Sequence, residues 1–423
     1  MLSIINKIKS GVLLMLTASA FVLTSCNKDL EQFPDPNIQQ PQTGLSLVGT
    51  LAATPTDTLF NRIITRSGLG ITLNNPATGF TLFVPDNNAV RAFVTAATGG
   101  LIGAPAPNST FAAFISSTLP VATAAAIVNY YTIPQKFTTA SIVHPFPNLE
   151  LPTNIIALPG NPLARLRAYV SKNPSTGLFY INNIPLTGTD MIVGNSVIHH
   201  IAALVPPPQR MIWERINTDS ALTIFKAAVT RADSGFTVTT PGSLIGGLQN
   251  FGANFTVFAP TNAAMKATLS ALTGIPAGAP DAVFIGFLAS ANVSTQTVKG
   301  LVVYHFLGTR TAAGAPVAGI RAFTVNVPTT PIQVLTFLNN PGPAVSHPGL
   351  TLQATFTGPI ASAVTVKGLA NATPANILIN STPDLAPSYG ATPPATPVKY
   401  IGTSDQHYVN GVLHYIDQLL RPL

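Results

Sequence analysis

The chain has 423 residues and a formal charge of +7, yet only 8% of them are charged, against about 25% in an average soluble domain. No cluster of Lys and Arg stands in it, which excludes nucleic-acid binding by counterion release. Glutamate occurs only at Glu31, Glu150 and Glu214, and Cys26 is the single cysteine; paired carboxylates for acid–base work are scarce and neither a disulfide framework nor a cysteine-ligated zinc site can form.

Residues 1–25 read as a secretion signal. Lys7 and Lys9 make a positive start, Val12 to Val22 is an apolar run too short to cross a bilayer as a mature helix, and Leu23-Thr-Ser-Cys26 stands at the cleavage point. That last segment resembles the lipobox of bacterial lipoproteins, in which the cysteine becomes the acylated first residue, so Cys26 is the expected lipidation site. The alternative is an ordinary cleaved signal beside a buried free cysteine. Loss of Lys7 and Lys9 lowers the formal charge from +7 to +5. Residues 26–44 form a polar tether rich in Pro, Gln and Asn, which cannot bury enough apolar surface to fold. Its Lys28-Asp29 and Glu31 resemble the export tag of Bacteroidetes surface lipoproteins, so the expected location is the outer membrane of the cell envelope, with the outer face as the exposed side. No later run is long and apolar enough to span a membrane, which leaves the acyl chains as the anchor.

From residue 45 onward the sequence repeats itself. Phe80-Thr-Leu-Phe-Val-Pro-Asp-Asn-Asn-Ala-Val90 returns about 175 positions later as Phe255-Thr-Val-Phe-Ala-Pro-Thr-Asn-Ala-Ala-Met265. Asn195-Ser-Val-Ile-His-His-Ile201 returns as Asn410-Gly-Val-Leu-His-Tyr-Ile416. A period this long points to two copied domains, 45–208 and 209–423, and not to a solenoid. The stiff stretch Val205-Pro-Pro-Pro-Gln-Arg210 between them is expected to restrict their angle. Phe80 to Asn195 spans 115 positions and Phe255 to Asn410 spans 155, so the second copy carries about 40 extra residues in loops between 308 and 406. Two insertions, Thr311–Pro348 and Asn371–Pro397, are dense in Pro, Ala, Thr and Gly and are either binding loops or flexible excursions; the second reads as flexible because Ser388–Pro397 has few apolar anchors.

Asp57 and Asp219 each stand before an amphipathic run, Leu59, Ile63, Ile64 in one and Leu222, Phe225, Ala228, Val229 in the other, which predicts an opening helix capped by the aspartate. Phe80–Val84 and Phe255–Ala259 suit strands and end at Pro85 and Pro260. Asp86-Asn87 and Thr261-Asn262 then offer oxygens to the free N–H groups of a following helix. A further helix includes Ile127–Tyr131 and Leu301–His305. Short alternating segments follow, Leu166–Val170, Leu178–Ile181, Thr351–Phe356 and Val364–Val366, and Val197-Ile198 and Val412-Leu413 begin a closing buried strand. Helices early and strands late point to an α+β class.

Thr256-Val-Phe-Ala-Pro-Thr-Asn262, Tyr304-His305 and Asn410-Gly-Val-Leu-His-Tyr-Ile-Asp417 resemble the three landmark motifs of the fasciclin-like domain. The first unit resembles them more loosely, with Asp86 for threonine, Tyr131 for histidine and Ser196 for glycine. The resemblance implies two compact antiparallel, sandwich-like sheets with helices packed beside them, in a cell-surface adhesion protein. It makes Pro85, Asn87, Pro260, Asn262, Asn195, His199, Asn410 and His414 structural motif residues. It also makes Tyr304 and His305, with Tyr130 and Tyr131, candidate binding residues, because the corresponding pair in animal members is associated with receptor contact; the other reading is a helix end packed on the core.

His199 and His414, flanked by Val, Ile and Leu, suit a neutral imidazole bonded to backbone in a half-buried strand, and no repeating carboxylate partner is evident. His200 points to the opposite face from His199, so the two do not form a metal pair. No catalytic motif, metal site or cofactor site is legible. The expected function is therefore non-catalytic contact with an extracellular protein, matrix polymer or glycan. The alternatives are an accessory lipoprotein of a glycan-acquisition or envelope-assembly system, and a hydrolase whose constellation is not visible in sequence. The sole tryptophan, Trp213, reads as a hinge or core residue and offers no sugar platform.

Overall fold

Apolar spacing sets the first elements. In the computed structural model, which describes residues 44–423 apart from 104, 143–145, 147, 158–159, 174, 311–315, 340–346 and 384–397, helix α1 (Leu47–Ala53) leads into α2 (Thr58–Ser67), whose Leu59, Phe60, Ile63 and Ile64 are buried on one face. The signal, Cys26 and the tether through residue 43 lie outside the described residues, as do Ser388–Pro397 and parts of both long insertions. A short helix α3 (Gly70–Leu73), strand β1 (Thr81–Pro85), and helices α4 (Asn87–Ala97), α5 (Asn108–Ser117) and α6 (Val121–Tyr130) follow. The rest of the first half is sheet: β2 (Thr132–Ile133), β3 (Leu149–Ile156), β4 (Arg165–Lys172), β5 (Phe179–Ile181), β6 (Ile184–Val193) and β7 (Ser196–Ile201).

These seven strands form one sheet in the order β2-β1-β7-β6-β5-β4-β3. All neighbours are antiparallel except β1 and β7, which run parallel with Thr81 opposite Val197 and Pro85 opposite Ile201. The expected purely antiparallel sandwich is thus corrected to a mixed sheet. A parallel neighbour needs a long crossover, and here everything between β1 and β7 serves as that crossover.

The second half repeats the pattern with a split sheet. It begins with α7 (Ile212–Thr218), α8 (Thr223–Ala232), α9 (Leu244–Leu248), β8 (Phe255–Pro260), α10 (Asn262–Thr273), α11 (Asp281–Ala289) and α12 (Thr295–Val303). Strands β9 (Phe306–Arg310), β10 (Pro316–Gly319), β15 (Gln406–Tyr408) and β16 (Gly411–Ile416) join β8 in the order β10-β9-β8-β16-β15. Strands β11 (Ile332–Val334), β12 (Leu350–Thr357), β13 (Ile360–Lys367) and β14 (Ala375–Asn376) make a second sheet in chain order. Single bridges, Leu307 to Thr336 and Ile377 to Ile416, tie the two sheets into a nearly closed, barrel-like wall. Again the first and last strands, β8 and β16, are parallel. Gly411 at the start of β16 is required by close approach: a Cβ there would lie 2.4 Å from the Phe255 carbonyl oxygen and from Ile212 Cδ1.

Residues 44–423 are one compact unit, with one apolar cluster in the first half and two in the second. A smaller cluster joins the halves through Tyr169 and Tyr180 on one side and Phe323, Val325 and Val412 on the other. Polar contacts cross the same boundary: Asn173 Nδ2 donates to the Val325 carbonyl at 2.7 Å, and Asn148 Nδ2 to the Arg321 carbonyl at 2.7 Å. The proline stretch is therefore not the only restraint between the halves. Among the described residues no single helix is long and apolar enough to cross a membrane.

Candidate functional site

Each strand–proline–cap–helix passage does more than start one helix. Asp86 Oδ1 accepts from the Ala89 N–H at 2.8 Å and Thr261 Oγ1 from the Ala264 N–H at 3.3 Å, so these residues cap α4 and α10. The asparagines reach sideways instead. Asn87 Oδ1 accepts from the Leu59 N–H at 2.9 Å, and Asn262 Oδ1 from the Ile224 N–H at 3.1 Å, so each serves the first turn of the earlier helix, α2 or α8. Asp57 and Asp219 do not place a side-chain cap on those helices, which corrects the capping expected of them. Asp57 is buried and meets His200 Nε2 at 3.0 Å; Asp219 is buried against Arg215. Asn262 also donates to the Ser220 carbonyl, Thr223 Oγ1 and Asp281 Oδ2. Asn262→Ala should therefore lower stability by about 1–2 kcal/mol, read as a shift in denaturation midpoint; an unchanged midpoint would show that the hub is idle.

The motif histidines sit on the closing strands in matching environments. His199 Nδ1 accepts from the Asp190 N–H at 3.1 Å and its Nε2 faces the Phe137 carbonyl at 3.0 Å. His414 Nδ1 accepts from the Asp405 N–H at 3.1 Å and its Nε2 faces the Ala322 carbonyl at 2.8 Å. With Nδ1 accepting, Nε2 carries the proton and donates to the carbonyl. Burial lowers the pKa of both, which keeps them neutral.

A carboxylate does repeat beside each histidine. Asp190 and Asp405 hold left-handed backbone, φ 59° and 55°, and their carboxylates accept from the N–H and hydroxyl of Thr139 and of Thr324. The signal for these pairs is an aspartate nine positions before the histidine in both copies. Among the described residues no group of three His, Cys, Asp or Glu side chains could hold a metal ion.

Tyr130, Tyr131, Tyr304 and His305 are all buried, at 1% exposure or less, so their assignment as candidate surface contacts is corrected to packing and anchoring. Tyr131 OH accepts from the Val205 N–H at 3.0 Å and donates to its carbonyl at 2.8 Å. At the matching place His305 Nε2 accepts from the Leu420 N–H at 3.0 Å while Nδ1 faces the Leu301 carbonyl at 2.9 Å. Tyrosine and histidine thus do the same work, tying the end of each half to its last helix. Burial pushes the His305 pKa down to about 4. Tyr304 OH donates to the Gly349 carbonyl at 2.6 Å.

The remaining motif residues are structural in position. Pro85 and Pro260 end the parallel strands. Asn410 is buried, accepting from the Ile212 N–H at 3.0 Å and donating to the Leu248 carbonyl at 2.7 Å, whereas Asn195 is exposed and donates to the Pro76 carbonyl at 3.2 Å. Ser196 replaces the glycine by using its hydroxyl, whose Oγ accepts from the Phe80 N–H at 3.1 Å.

Tyr130 leads to the junction between the halves. Its hydroxyl lies 3.4 Å from His407 Nδ1, and His407 Nε2 accepts from Arg321 Nη1 at 2.8 Å. Burial first, and then the Arg321 charge, hold His407 well below the usual histidine range, so the ring is neutral. Arg321 is itself buried. Its other acceptors are Asn254 Oδ1 at 2.8 Å and the carbonyls of Tyr408 and Val409 at 3.0 and 3.3 Å, and its guanidinium lies 4.4 Å from the centre of the Tyr169 ring.

Beside this cluster is a cleft of about 410 Å³ lined by both halves, among them Glu150, Arg165, Arg167 and Tyr169 from the first, and Phe251, Asn254 and Arg321 from the second. It is the candidate site because it gathers polar and charged groups that sequence order keeps far apart.

Residues 56–207 match the Fasciclin domain family. No curated protein matches the chain. Among solved structures, a FAS1 domain pair from the insect cell adhesion molecule fasciclin I is similar, with 12% identity, 86% of this chain and 95% of that one covered, and a TM-score of 0.33. The family match falls on the half with the looser motifs, the one with Asp86, Tyr131 and Ser196, and over residues 56–207 the chain is fasciclin-like.

Proposed function

We propose that this chain is a non-catalytic adhesion or binding protein that contacts an extracellular protein, matrix polymer or glycan. In this reading two fasciclin-like units, 45–208 and 209–423, are held at the cell envelope by lipid on Cys26, on the outer face of the outer membrane. The observation that carries it is the fate of the reactive side chains. His199, His305 and His414 are buried, neutral and spent on backbone groups, which suits a scaffold for surface contact and leaves no poised base among them. The fasciclin match over residues 56–207 supports the same reading, since such domains are associated with cell adhesion. An accessory role in glycan acquisition is the second reading, and the arginine-lined cleft at the junction favours it.

The test is binding of residues 44–423 to intact cells and to a panel of polysaccharides, with the products sized after incubation. Saturable binding without shortening of the polymer is expected. Absence of binding to every member of the panel and to cells, or recovery of cleaved polymer, would overturn the reading.

A further inference from the structure

We propose that the cleft between the halves binds the carboxylate of an acidic sugar polymer, with Arg165 and Arg167 as the groups that touch it. This rests on the adhesion reading above and narrows it to one ligand class.

Charge is the first argument. Three arginines line the cleft against one glutamate, Glu150. Arg321 is 3% exposed and all its hydrogen-bond acceptors among the described residues are neutral. A buried charge is costly unless an opposite charge is near, and low-dielectric walls focus its field into the adjoining cleft. An anion seated there gains from Arg321 without displacing any of its partners.

Free hydrogen-bonding capacity is the second. Arg167 meets Glu150 through Nε alone, at 3.4 Å, with both side chains more than 40% exposed; such a pair is weak and leaves the Nη fork open to a carboxylate. Arg165 spends Nη1 on the Thr153 carbonyl and Asn154 Oδ1, both at 3.1 Å, and keeps Nη2 and Nε.

The rest of the lining favours a sugar over an acidic peptide. Asn254 Oδ1 takes both Arg321 Nε and the Tyr169 hydroxyl, at 2.8 and 3.3 Å, which frees Nδ2 for a ligand oxygen. Phe251 adds an apolar ring beside these polar groups, a combination that suits the hydroxyls and C–H face of a pyranose. A volume of about 410 Å³ also matches one short stretch of polymer, being in the range of small-ligand sites, about 300–1,000 Å³.

Titration of the full chain with polygalacturonate, its fully methyl-esterified form and poly-glutamate tests the assignment. Polygalacturonate should bind, and more weakly as salt rises; the ester should not compete. Arg165→Gln with Arg167→Gln should weaken binding about tenfold or more, with an unchanged melting curve as the folding control. Glu150→Gln should tighten binding about threefold by releasing Arg167, a gain that damage to the fold cannot mimic. Equal binding of the ester, or an affinity untouched by the double arginine change, would overturn the cleft assignment even if polymer binding persists, which leaves the adhesion reading standing. Tighter binding of poly-glutamate than of polygalacturonate would assign the cleft to an acidic protein instead. A wild-type chain that binds no polymer and no cells would sink the adhesion reading itself.

Discussion

Asp219→Ala is expected to lower unfolding stability by about 3–5 kcal/mol, the usual cost of stranding one member of a buried ion pair. Arg215 is wholly buried, and its Nε donates to Asp219 Oδ2 at 2.6 Å. Its Nη2 donates to the Gly402 carbonyl at 2.8 Å and to the Tyr415 hydroxyl at 2.9 Å, and the Tyr400 ring centre lies 3.7 Å from the guanidinium. Tyr415 in turn donates its hydroxyl to Asp219. Removing the carboxylate takes from a buried cation the anion that its Nε bonds, and takes from the Tyr415 hydroxyl its acceptor. Asp57→Ala at the matching place in the first half should cost less, because its partner His200 is half-buried and can give up its proton. Urea midpoints by circular dichroism compare the two; a loss under 1 kcal/mol for Asp219→Ala would show that the core relaxes around Arg215.

Acid is the second large effect. His305 is fully buried with its pKa pushed down to about 4, and burial also lowers His199, His407 and His414. A group neutral in the fold but protonated in the unfolded chain below about pH 6.5 makes the unfolded state bind more protons. Stability is therefore full above about pH 6.5 and falls as pH drops toward 4. His305 alone contributes on the order of 3 kcal/mol to that loss. His200 acts in the opposite sense: its hydrogen bond to Asp57 raises its pKa, so its contribution is present at low pH and lost as pH rises through the folded value. Denaturation midpoints between pH 7 and pH 4 should fall steeply, and His305→Gln should flatten part of the slope. A flat profile for the wild type would mean that these rings remain hydrated.

Much of the fold is legible in local residue patterns. Apolar spacing at Leu59, Ile63 and Ile64 and at Phe225, Ala228 and Val229 matches the buried faces of α2 and α8. The strand ending in proline and followed by a helix cap appears at both places where it is expected, and the later alternating segments are strands. Burial of His199 and His414 against backbone follows from their apolar neighbours. The aspartate nine positions before each histidine stands in the sequence as well, but a spacing that crosses a turn follows neither the helix nor the strand period. The burial of Tyr304 and His305 is not legible in the same way, because a Tyr-His pair at a helix end reads the same whether it faces water or the core.

What the sequence determined by itself is the local grammar: strand, proline, cap and helix, and a closing apolar strand, each governed by groups a few positions apart. Which helix Asn87 and Asn262 complete, the parallel pairing of first and last strands, the neutral tautomers of the histidines and the gathering of Arg165, Arg167 and Arg321 around one cleft were decided only by tertiary structure. Those features depend on burial and on partners far away in the chain, as Arg215 and Tyr415 are 200 positions apart and Tyr130 and His407 are 277. No window of neighbouring residues contains both members of such a pair, so their energies arise only when the chain has closed on itself.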